Sequence, residues 1–225
     1  MSKLTMQIGF WVSVVLVLLG TAYLAILAGV ASPEALTTME PAGSQALWAG
    51  LDALFTAVGL VILMACIAQD APADKKVLGV IGLAFTILFA AVVCINRFVQ
   101  LTVIRQSFLL NDSIGLDRFL PYGARSVFFA LEMLGWGGFL SLAAFSISPL
   151  FTRGKLERWI AGALLTYGML GISSVLGYAF GSQIILVGFI AWGPILGVAI
   201  LLLGVRFWRE MRTTNNQVGQ PIQSK

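Results

Sequence analysis

Six stretches of roughly 20 predominantly apolar residues, each long enough to cross a hydrocarbon core about 30 Å thick as a helix, alternate with short polar connections along the chain. They run over about 10–30, 47–68, 77–104, 124–150, 159–180 and 184–208. The pattern predicts an all-α, polytopic transmembrane helix bundle with six transmembrane helices. A single domain over 1–212 would be followed by a flexible polar cytoplasmic tail over 213–225. The first stretch, preceded by Lys3 and followed by the small residues Gly29 and Ala31, has features of a cleavable leader. It exceeds the roughly 7–15 apolar residues of such a leader, so a retained helix is expected.

Composition agrees with lipid as the main solvent. Hydrophobic residues make up 59% of the chain and charged residues 11%, against about 25% charged in soluble domains. The net charge of +4 does not point to nucleic acid, because the basic residues sit mainly in the connections. The N-terminal segment, the 70–76 and 151–158 connections and the C-terminal tail hold ten Lys and Arg; the other connections hold Arg105 and Arg118, and Arg125 just inside the fourth stretch makes three. By the positive-inside rule both termini are cytoplasmic, N-in and C-in, as expected in a bacterial plasma membrane.

Histidine is absent, which removes bis-His haem, His-bound zinc and His general-base chemistry together. Only Cys66 and Cys94 are present, too few for a cluster. No Walker A, GxSxG, HExxH, CxxC or dinucleotide fingerprint occurs. No metal, no cofactor and no catalytic residues are therefore expected, and a lipid-modifying enzyme is the least favoured class.

An ionisable residue costs roughly 2.5–3.5 kcal/mol at the centre of a transmembrane helix, so it tends to face inward and find a partner. Asp52, Arg97 and Glu132 stand out on the second, third and fourth stretches. Counted from the expected outer ends they lie roughly 9, 10 and 13 Å deep, all within the outer leaflet. Asn96, Arg97 and Gln100 share one helical arc. Arg125, Phe129, Glu132 and Trp136 share another, and Gln45, Trp48, Asp52 and Thr56 a third. Tyr23 and Tyr178 fall near the same level.

A site of Asp52, Asn96, Arg97, Gln100, Arg125, Glu132, Trp136, Tyr23 and Tyr178 would open outward. Arg97 would be its cationic centre, held by Glu132 and Asp52. Its planar fork suits a small anionic or amphiphilic ligand, bound or transported. The competing reading is a buried ion pair that fixes helix register, in a non-catalytic subunit or assembly protein. Expected partners are membrane lipids and a homo-oligomer or larger membrane complex.

Residues 105–123 mix apolar and charged positions and read as an interfacial segment or lid. Gly177/Gly181 and Gly193/Gly197 form two GxxxG patterns, expected to serve close helix packing. Pro194 should kink the sixth helix, with no matching break in the third.

Overall fold

In a computed structural model that describes residues 2–28, 40–120 and 126–218, the described residues form helices joined by short turns, with no strand among them. Six helices are long and apolar enough to cross a membrane: α1 (Lys3–Ile26), α2 (Ser44–Asp70), α3 (Ala73–Leu109), α4 (Val127–Leu150), α5 (Gly154–Ala179) and α6 (Gln183–Thr213).

The boundaries depart from expectation where a helix outlasts its apolar run. α3 continues through Arg105–Leu109, so the expected interfacial segment begins as helix. The last helix runs to Val218, so residues 213–218 of the expected flexible tail are helical. Polar residues end a lipid-compatible stretch without removing the backbone hydrogen bonds that make the helix.

Local chemistry sets the other ends. Ser2 Oγ accepts from the Thr5 N–H at 3.1 Å and caps α1; Ser126 Oγ does the same for Phe129 and starts α4. α2 stops at Ala71 because Pro72 follows, and a residue before proline avoids the α region. Lys76 Nζ donates to the Gln69 carbonyl at 2.8 Å, and Lys75 Nζ reaches the Pro149 carbonyl at 3.0 Å. Both thereby satisfy carbonyls at helix ends. α5 closes with Gly181 at φ +64° and a bond from the Ser182 N–H to the Gly177 carbonyl, the turn that favours glycine.

Each helix packs chiefly on its neighbours in sequence, and α6 closes the ring against α1. The core joins Leu63 of α2, Phe89 and Val93 of α3, Ile147 of α4, Tyr167 of α5 and Phe207 of α6. At its centre lies an apolar cavity of about 40 Å³.

Small residues permit the closest crossings, but not in the pattern expected. A Cβ on Gly171 of α5 would stand 2.1 Å from Ser141 Oγ and 3.2 Å from the Gly137 carbonyl of α4. A Cβ on Gly177 would lie 2.4 Å from the Ile185 nitrogen. Gly181, by contrast, belongs to the turn, and a Cβ on Gly193 or Gly197 would meet no neighbouring element within 4 Å. Neither GxxxG pair therefore acts as a packing pair within the fold. Gly171→Ala should cost about 1–3 kcal/mol by overpacking, whereas Gly193→Ala should be nearly neutral. Unfolding midpoints of the two variants check this contrast.

Three helices widen into π turns: Gln100–Ile104 in α3, Met133–Phe139 in α4 and Ala191–Ile195 in α6. Only the last contains a proline. The expectation of an unbroken third helix is thus corrected. A π turn misaligns local carbonyls, and side chains from neighbouring elements serve as extra donors here. Tyr167 Oη donates to the Trp136 carbonyl at 2.6 Å, and Asn96 Nδ2 donates to the Phe128 carbonyl at 3.1 Å.

Candidate functional site

Two polar centres lie at opposite ends of the bundle. The first joins α3 to α4. Asn96 and Arg97 project from the last α-helical turn of α3 before its π turn, and Gln100, at i+4 from Asn96, is the first residue of that π turn. Glu132 stands immediately before the π turn of α4.

Arg97 Nε meets Glu132 Oε1 at 3.1 Å. Arg97 Nη1 donates to Gln100 Oε1 at 2.9 Å, Gln100 Nε2 donates to Asn96 Oδ1 at 3.2 Å, and Asn96 Nδ2 donates to Glu132 Oε1 at 2.6 Å. These contacts close a ring of four side chains. Outside the ring, Trp136 Nε1 donates to Glu132 Oε2 at 2.8 Å, and its indole meets Phe89 edge-to-face at 4.8 Å. Both charged residues are 6% exposed and Asn96 1%. The carboxylate therefore has donors on both oxygens, as a charge removed from water requires.

Of the other predicted residues, Asp52, Tyr178 and Tyr23 stand apart from this ring. Asp52 is buried on α2 with Thr56 one turn on, and among the described residues no ion pair joins it to Arg97. Tyr178 Oη donates to the Ser126 carbonyl at 3.4 Å, while its ring packs on Phe129. Tyr23 is half-buried on α1, which packs on α2 and α6 rather than on the two helices that carry the ring. Arg125 lies outside the described residues.

The distances to the helix ends also differ from expectation. With α3 reaching Leu109, Arg97 sits roughly 18 Å from the end of its helix, whereas Glu132 sits roughly 8 Å from the start of α4. α3 consequently projects beyond α4 at this end. Neither the central apolar cavity nor the larger cavity at the other end touches the ring.

The second centre is built on Arg206, one of the basic residues at the helix ends. At the end of the bundle that carries Lys3 and Thr213, Arg206 of α6 gathers carboxylates from three helices. Nη2 lies 2.5 Å from Asp70 Oδ2 of α2 and 3.0 Å from Glu210 Oε1 of α6, and Nε lies 3.3 Å from Glu157 Oε1 of α5. The Arg153 N–H donates to the other Glu157 oxygen. The guanidinium also faces the Phe151 ring at 5.5 Å from its centroid.

These groups border a cavity of about 410 Å³, whose remaining wall includes Met6, Ile67, Ala71, Leu150 and Thr213. A signal for this centre was present. Asp70, Glu157 and Glu210 place one acid at each of three helix ends that the charge rule alone would leave purely basic. Chemically, the first centre is a buried, enclosed ion-pair ring, and the second is an open, charged and half-apolar recess. Compared with known proteins, the chain matches no family model, no curated protein and no solved structure.

Proposed function

We propose that this chain is an integral membrane protein with cytoplasmic termini that binds a small ligand from the cytoplasmic side, in the cavity beside Arg206. One observation carries the reading: a recess of about 410 Å³ combines a few convergent charged groups with an apolar wall, the usual make-up of a small-molecule site. The Arg97–Glu132 ring then holds the two π-broken helices in register, so that the far end of the bundle stays closed while this end stays open.

Thr213 lines the mouth and is exposed. In a thermal-shift screen of small polar fragments on the purified protein, hits should raise the unfolding midpoint of the native chain and lose that effect in Thr213→Trp, which fills the recess. Hits that act equally on both proteins would place binding elsewhere.

A second reading keeps the outward site, with an anionic or amphiphilic ligand that displaces Glu132 from Arg97. It is favoured by the position of both partners at the border of a π turn, a distortion frequent at functional sites.

A further inference from the structure

The cavity beside Arg206 has a charge and a shape that narrow the ligand class. We infer that it takes an organic monocation, a primary ammonium on a short apolar body; this rests on the reading of that cavity as the binding site.

Three carboxylates, Asp70, Glu157 and Glu210, border the recess against two guanidinium groups, Arg206 and Arg153. Arg206 already spends Nε and Nη2 on those carboxylates. Three carboxylates against two guanidinium groups leave the wall with one net negative charge. An incoming anion would deepen that imbalance, whereas a monocation cancels it. An ammonium brings three donors and no acceptor, and so can bond to the carboxylates.

The carboxylates converge on the Arg206 guanidinium, which takes the place a small ion would occupy. Among the described residues no group of three acidic, Cys or His side chains is arranged to hold a metal ion. A compact divalent cation is thus a poorer match than a cation with extent. Met6, Ile67, Leu150 and Phe151 supply an apolar wall for its body, and the Phe151 ring adds a face that attracts positive charge.

The test compares three probes of equal length on the purified full chain in nanodiscs: n-hexylammonium, n-hexanol and n-hexanoate, each followed by calorimetric titration. Hexylammonium should bind at least tenfold tighter than either of the others. Glu210→Gln should weaken it severalfold while leaving the unfolding midpoint near native, and Thr213→Trp should abolish it. Loss in Thr213→Trp also separates site binding from partition into lipid. Hexanoate binding best, or all three binding alike with Thr213→Trp still blocking them, overturns the cation assignment and leaves the cavity reading standing. Binding of every probe unaffected by Thr213→Trp overturns the cavity reading itself.

Discussion

Arg97→Met should lower the unfolding free energy by about 3–5 kcal/mol, because it leaves a buried carboxylate without its counter-charge. Glu132 would keep donors from Asn96 and Trp136 but lose the guanidinium at 3.1 Å. Glu132→Leu should cost a similar amount by stranding the cation. The double variant should recover most of the loss, since an apolar pair of similar volume in place of a buried ion pair is often neutral or better. Reversible unfolding in bicelles, read as a double-mutant cycle, measures this coupling. Single losses below about 1 kcal/mol would match exposed pairs instead. They would favour the hydrated outward site, in which Arg97 is available to a ligand.

Arg206→Met is expected to destabilise by about 3 kcal/mol, near the lower bound for a buried pair, since its partners range from 13% to 34% exposed. The variant leaves Asp70, Glu157 and Glu210, from three helices, facing one another without the charge that holds them. Glu210→Gln alone should cost less than about 1 kcal/mol, because Glu210 is the most exposed of the three and pairs along its own helix at i, i+4. The contrast between the two variants, read from unfolding midpoints, shows whether Arg206 works as a hub or as one of several surface pairs.

Helix number and approximate position were legible because a long apolar run is a strong signal in a chain with so few charges. The polar stripe Asn96–Arg97–Gln100 and the i, i+4 pair Glu132–Trp136 were legible too, since helical phase alone puts them on shared faces. Side-chain geometry across helices was not. Nothing in the sequence said that Asn96 would bridge Arg97's partner to the Phe128 carbonyl, or that Asp52 would stand outside the ring.

The π turns at Gln100–Ile104 and Met133–Phe139 carry no proline, so the signal that marks the sixth helix is absent from both. The end of the third helix was not legible either. Counting from the end of an apolar run placed Arg97 near its helix end, but α3 continues to Leu109. The Arg206 centre was hidden by a correct rule. Basic residues at this end explain orientation, so the three acids among them drew no notice until the fold brought them together.

Sided thiol labelling tests most directly whether one end of the bundle is open and cytoplasmic while the other faces outward. With Cys66 and Cys94 replaced by alanine, Ala71→Cys lines the recess beside Arg206, and Ile114→Cys stands 95% exposed beyond α3. A membrane-impermeant maleimide should label Ala71→Cys only in inside-out vesicles and Ile114→Cys only in right-side-out ones. Labelling of Ala71→Cys from the outside, or none from either side, would contradict an open cytoplasmic cavity.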